Sequence, residues 1–269
     1  KYAKSKKIQY AIYDPKLMTL NDKKHEYFSK NQIIAAINNK NIFAVYQPII
    51  DNRTQKVIKY ESLIRIQGVE SGIMNINNFL KLSRNYNLYN SLTKFMINEV
   101  FNKVLSTNFE ISLNISVSDI MNLSTNNLII NKLKKMPHKK REKIIFELLE
   151  SEEIEDYKVI EKFITEVKSY GCKIAIDDFG TGYSNFSSIL NMDIDYLKID
   201  GSIIKNLLND KNSEIILKLI ISLAKEMKIK TIAEYVHSKE IYNKVKELKI
   251  DYSQGFYFSE PIILNRFEL

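Results

Sequence analysis

Short runs in which apolar and polar residues alternate recur along this chain, separated by segments whose apolar residues return at helical spacing. Phe43 to Ile50 (FAVYQPII) and Val57 to Ile66 (VIKYESLIRI) have strand composition and are joined by a polar turn through Asp51, Asn52 and Arg53. Further strands are predicted at Ile111 to Ser116, in Lys143 to Ser151, around Ile174 and Ile176, around Leu197 and Ile199, at Lys230 to Ala233 and at Tyr252 to Gln254. Helical periodicity covers Asn77 to Ser83, Asn90 to Leu105, Asn126 to Lys135, Ile160 to Tyr170, Ser213 to Met227 and Ser238 to Leu248, with Gly171 a natural C-cap after Tyr170. This βα alternation predicts an α/β fold, a (β/α)8 barrel of TIM type, whose site collects at one end of the strands. Asn114, Glu147, Asp177, Asp200, Glu234 and Gln254 all fall at predicted strand ends.

A chain of 269 residues with 45% hydrophobic content can bury one large core as a single main domain. No apolar run approaches the roughly 18 residues needed to span a bilayer. Ile215 to Ala224 comes nearest and is broken by Lys218 and Ser222, so a soluble fragment without membrane contact is expected. The lone Cys172 cannot form an internal disulfide and no signal peptide is seen, which makes the cytoplasm the expected location. The chain opens on Lys rather than Met, so a longer natural protein is expected, with room for a membrane anchor upstream. Residues from about Lys16 to Lys40 read as a linker followed by a docking helix carrying Ile33, Ile34, Ala36 and Ile37. The net charge of +8 suits an anionic ligand. The basic runs Lys132 to Lys135 and Lys139 to Arg141 read as solvated faces rather than a surface for a DNA or RNA polymer.

Candidate chemistry concentrates between Lys173 and Asp200. Asp177 shares a strand face with Ala175, and Lys198 shares one with Asp200, so both strands point charge toward one cavity. Asp177 and Asp178 are adjacent carboxylates, which repel at neutral pH unless a cation or a proton separates them. An Asx-turn opening a loop with Gly180 and Gly182 is the plain alternative for that pair. Asp178-Phe179-Gly180 also spells the metal triplet of protein kinases. That match fails, because no Gly-rich loop is present and none of His25, His138 or His237 precedes Arg-Asp. On the second strand Glu61, Leu63 and Arg65 lie on one face, and a buried Glu61 needs a partner, with Arg65 itself as the simple option.

The stretch IAIDDFGTGYSNFSSILNMDIDYLKIDGS resembles the core of the EAL domain, the bacterial phosphodiesterases of cyclic di-GMP. The signature motif is present as Glu61-Ser62-Leu63 followed by Arg65, and the closing pattern as Gln254-Gly255-Phe256-Tyr257-Phe258-Ser259-Glu260-Pro261. The resemblance covers about Asn41 to Leu269 and implies a barrel variant with an antiparallel first strand. It implies that residues 26–269 form the EAL barrel. The opening KYAKSKKIQYAIYD is similar to the end of a GGDEF domain, so residues 1–25 are expected to be the tail of a preceding domain and a linker.

By the same resemblance two divalent ions, Mg²⁺ or Mn²⁺, are expected. Glu61, Asn114, Glu147 and Asp177 would hold one, and Asp177, Asp178 and Glu234 the other. Lys198 would orient the attacking water and Glu234 would take part in proton transfer, which with Glu61 makes the expected catalytic set. Arg65, Gln47 and Gln254 are expected on the substrate, Gln254 and Asp200 to steady waters and Lys198, and Glu150 to hold a loop behind the ligands. Five carboxylates, Glu61, Glu147, Asp177, Asp178 and Glu234, would balance two divalent ions and the Lys198 ammonium. The implied reaction opens cyclic di-GMP to linear pGpG, in a homodimer. The alternatives are a receptor that binds cyclic di-GMP without cutting it, and a scaffold. Two departures stand out. Where the family continues Gly-Val-Glu after the metal glutamate, this chain has Tyr235, Val236 and His237, and IQGVESG after Arg65 lacks the usual Trp and His-Pro.

Overall fold

The hairpin expected at Asp51 to Arg53 forms, and it sets the sense of the whole sheet. The structure, a computed structural model, describes residues 30–38, 41–67, 76–86, 88–149, 157–180 and 192–264. Strand β1 (Ile42–Asp51) pairs antiparallel with β2 (Val57–Ile66), placing Gln47 opposite Glu61 and Phe43 opposite Arg65. Strands β3 (Glu110–Asn114), β4 (Ile144–Leu149), β5 (Lys173–Phe179), β6 (Tyr196–Ile199), β7 (Lys230–Ala233) and β8 (Tyr252–Gln254) follow in parallel, and β8 closes antiparallel onto β1. The result is a closed eight-stranded barrel whose first strand runs against both neighbours.

Helices cover the outside: α1 (Lys30–Asn38), α2 (Ile76–Asn85), α3 (Tyr89–Ser106), α4 (Val117–Met121), α5 (Leu123–Lys135), α6 (His138–Arg141), α7 (Tyr157–Ser169), α8 (Gly201–Asn206), α9 (Lys211–Glu226) and α10 (Lys239–Glu247). The outward strand residues Leu113, Phe146, Ile174 and Leu197 join Ile97, Phe163, Val167, Leu217 and Ile220 of the helices in one large core. Each such side chain contributes about 1.5–3 kcal/mol by leaving water. The docking helix is α1, whose Ile33 and Ala36 are buried with Ile42, Ile66, Phe79 and Leu92, while Ile34 and Ile37 are only partly covered. Among the described residues, no helix is long and apolar enough to cross a membrane. Residues 1–25, Gly182 and Glu150 lie outside the described residues.

Three strand boundaries differ from the periodicity reading. β3 stops at Asn114, because Ser116 caps α4: its hydroxyl accepts from the Asp119 N–H, and the Asp119 carboxylate accepts from the Ser116 N–H. Glu147 lies inside β4 rather than at its end, with Asn114 as its neighbour in register. β5 continues past Asp177 to Phe179, and positive φ falls on Asp178 (56°) as well as on Gly180 (100°).

The lumen below the site holds Ile49, Ile145, Ala175, Tyr196 and Ile232, with Lys59 buried among them at 1% exposure. Its ammonium lies 3.5 Å from the Tyr196 ring centroid, 3.9 Å from that of Tyr252 and 3.9 Å from Glu110 Oε2. Burial lowers its pKa to about 7, the attraction of Glu110 only partly offsetting it. The unfolded chain therefore binds one more proton than the native state between about pH 7 and the ordinary lysine range, and this group adds stability as pH rises through that window. Lys59→Met, which keeps the length without the charge, is expected to stabilise the domain by roughly 1–4 kcal/mol below pH 7. The gain should shrink toward pH 10. Urea melts at both pH values check it, and a variant less stable than wild type at pH 6 would show that the cage outweighs desolvation.

Candidate active site

Because strand side chains alternate, every second residue near the ends of β2 and of β4 to β8 points into the lumen, and the register brings the charged ones to one level. Lys198 on β6 is fully buried there. Its Nζ lies 2.8 Å from Asp177 Oδ1, 2.8 Å from Glu234 Oε1, 3.0 Å from Glu147 Oε2 and 3.3 Å from Glu61 Oε2. Two amides lock Glu61. Gln254 Nε2 donates to its Oε2 at 2.6 Å and Asn114 Nδ2 to its Oε1 at 3.0 Å. Gln254 also donates to Gln47 Oε1 at 3.0 Å, so β1, β2, β3 and β8 are tied together through side chains. The partner of Glu61 is thus Lys198 and the amides, and not Arg65.

One regular strand cannot point both Asp177 and Asp178 at the same place. The left-handed backbone at Asp178 turns its carboxylate back, so Asp177, Asp178 and Glu234 each offer an oxygen within 4.8 Å of the others. Glu61, Glu147 and Asp177 form a second such group, and Asp177 belongs to both. Asp200 accepts from the Ser202 N–H at 2.7 Å, capping α8, and lies close enough to Asp178 to raise the pKa of that carboxyl. Arg65 donates to its neighbour's Ile64 carbonyl at 2.9 Å and lines an adjacent hollow of about 280 Å³ with Asn114, Arg84 and Tyr89.

Three buried carboxylates and the half-buried Glu234 around one ammonium leave negative charge uncompensated, which sets the protonation. Burial pushes Glu147 up to about 8, with Glu61 and Asp177 adding to the rise against Lys198. Burial likewise raises Glu234 well above the carboxylate range. Asp178 is raised to about 6 by burial and by the charges of Asp177 and Asp200. Burial alone would lower Lys198, but Asp177, Glu147, Glu234 and Glu61 hold it well above its ordinary value, so it is a fixed cation. For Glu61, burial is outweighed by Lys198 and the two amides, and its pKa is lowered.

Hard oxygen donors, deep burial and an excess of negative charge fit hard divalent cations, so the residues present suit the ions that the sequence implies. Since burial raises Glu147 to about 8, Asp178 to about 6 and Glu234 well above the carboxylate range, cation loading must release protons. Mn²⁺ affinity is expected to rise with pH between 6 and 8. Calorimetry in buffers of different ionisation enthalpy should read net proton release at pH 7, and a pH-independent heat and affinity would contradict this electrostatic picture.

The family model of the EAL domain matches residues 30–261. The chain belongs to the EAL domain family. This EAL domain is 43% identical over 118 residues to the cyclic di-GMP phosphodiesterase PdeA of Borreliella burgdorferi, covering 44% of this chain and 18% of that protein. It is 29% identical over 236 residues to the cyclic di-GMP phosphodiesterase PdeF of Escherichia coli, covering 86% and 31% respectively. The chain therefore spans less than half the length of these curated relatives. Among solved structures, the EAL enzyme Bd1971 in its cAMP- and cyclic-di-GMP-bound form has a TM-score of 0.80 and 29% identity, over 88% of this chain and 66% of that one.

Two features of this EAL domain escaped the sequence reading. Lys59 shares the inward face of Glu61, so its parity alone marked it as a lumen residue. Phe256, Tyr235 and His237 line a cavity of about 330 Å³ with Gln47, Glu61, Glu234 and Gln254. The departures at Tyr235 and His237 were visible in the sequence, but their place on the cavity wall was not.

Proposed function

We propose that this domain hydrolyses one phosphodiester of cyclic di-GMP, giving linear pGpG, with two Mg²⁺ or Mn²⁺ ions as cofactors. The observation that carries the reading is the convergence of Glu61, Glu147, Asp177 and Glu234 on Lys198 beside a cavity wide enough for a nucleotide. The activity for which the relatives are named and the cyclic di-GMP bound by Bd1971 support the choice of substrate.

Glu61, Asn114, Glu147 and Asp177 would hold one ion, and Asp177, Asp178 and Glu234 the other. When bound, such ions polarise the phosphoryl oxygens and lower the pKa of water. The chain's own residues do the remainder. Lys198, a fixed cation, donates to the attacking water and keeps it in line. Glu234 takes up and passes on the proton. Gln254 and Asn114 hold Glu61 in one orientation, and Asp200 fixes Asp178. Arg65 presents a forked donor to a phosphate from the adjacent hollow, and Gln47 meets the base beside Gln254. A homodimer, a cytoplasmic setting and a preceding domain ending near residue 25 belong to the same proposal.

The test is chromatography of the products after the domain is mixed with cyclic di-GMP and Mn²⁺. Linear pGpG is expected. Binding in Ca²⁺ by calorimetry, with no product in Mn²⁺, would instead make it a receptor, and no binding at all a scaffold.

A further inference from the structure

Tyr235 is a bulky residue held in the left-handed region, with φ 54°. Of the other described non-glycine residues with positive φ, Gln55 sits in the β1–β2 turn, Lys228 and Lys249 follow helix ends, and Asp178 aims a carboxylate at the site. Tyr235 has no such excuse: an aromatic residue there costs backbone energy that glycine would not. Tyr235 is 53% exposed all the same, and Phe256 beside the same cavity is 65% exposed. Strain retained for an exposed ring at a cavity mouth points to function rather than to packing.

The surroundings hold this ring in place. The Val236 N–H donates to the Gln254 carbonyl at 2.9 Å, and the Tyr257 N–H to the Val236 carbonyl at 3.0 Å. Gly255 permits that approach, since a Cβ there would lie 2.1 Å from the Val236 carbonyl oxygen. His237 tilts against Tyr235 with centroids 5.4 Å apart, its Nδ1 3.1 Å from the Tyr235 carbonyl oxygen. Lys205, which does not line the cavity, places its ammonium 5.9 Å from the Tyr235 centroid. Polar groups form the floor of the cavity and flat rings its rim, the arrangement that takes up a planar base.

We propose that Tyr235, steadied by His237, is a substrate-positioning residue that stacks on one purine base of the cyclic dinucleotide. This rests on the cyclic di-GMP reading above. The plain alternative is that Tyr235 only packs on Gly201, whose ideal Cβ would lie 2.7 Å from Tyr235 Cβ.

Tyr235→Leu keeps a side chain over Gly201 and keeps the backbone strain but removes the flat ring. Cyclic di-GMP affinity, read by calorimetry in Ca²⁺, is expected to fall about tenfold in Tyr235→Leu and Tyr235→Gly, and to be largely restored in Tyr235→Phe. In Mn²⁺ the loss should fall on KM, with kcat little changed. Tyr235→Gly should also melt higher than wild type, having lost the strain. Wild-type affinity in Tyr235→Leu would overturn the stacking proposal. Absence of pGpG from the wild type, with binding intact, would overturn the hydrolase reading alone, and the affinities would still decide the role of Tyr235.

Discussion

Glu61→Ala is expected to lower the turnover of cyclic di-GMP by at least about a thousandfold while the domain stays folded. Glu61 is the most constrained carboxylate of the cluster, fixed by Gln254 at 2.6 Å, by Asn114 at 3.0 Å and by Lys198 at 3.3 Å. Loss of one anchoring ligand forfeits several kcal/mol of transition-state stabilisation, and each ~1.4 kcal/mol is a factor of ten. Stability should fall only modestly. The partners that lower the Glu61 pKa are lost with it, but three carboxylates remain to neutralise Lys198 and one source of mutual repulsion has gone. Product chromatography and a thermal melt of the same sample check both halves; turnover within tenfold of wild type would refute the role assigned to Glu61.

Lys198→Met should have the opposite signature. With the ammonium gone, Glu61, Glu147, Asp177 and Glu234 face one another in a buried space without a cation. Removing one partner of such a network costs about 3–5 kcal/mol. In EDTA the variant should therefore melt roughly 10 °C below wild type at pH 8. The deficit should narrow at pH 5, because the carboxylates can then take up protons, and Mn²⁺ should recover much of it. Turnover should fall by about 10²–10⁴-fold even with Mn²⁺, since nothing would orient the water. A metal-free variant as stable as wild type at pH 8 would mean that the cluster is not the electrostatic unit described above.

Much of this arrangement was legible in the sequence for a simple reason. A strand has a side-chain period of two, so the parity of Glu61, Glu147, Asp177 and Lys198 could be read locally, and the β1–β2 turn announced itself through its polar residues. The end of β3 was harder, because Ser116 suits an extended strand and a helix cap equally well, and the cap prevailed once Asp119 closed the reciprocal pair.

What the sequence determined by itself is thus which elements form and which face of each strand looks inward, since both follow from local periodicity and propensity. Closure of the barrel decided the rest. Lys59 and Lys198 are both lysines on inward faces. Register, a non-local property of strand pairing, set one between the rings of Tyr196 and Tyr252 and the other among four carboxylates. Local backbone reversal did what periodicity cannot: positive φ at Asp178 set its carboxylate beside Asp177 and Glu234, positive φ at Tyr235 set an aromatic residue on the cavity wall, and only packing with neighbouring elements can hold either residue in that conformation.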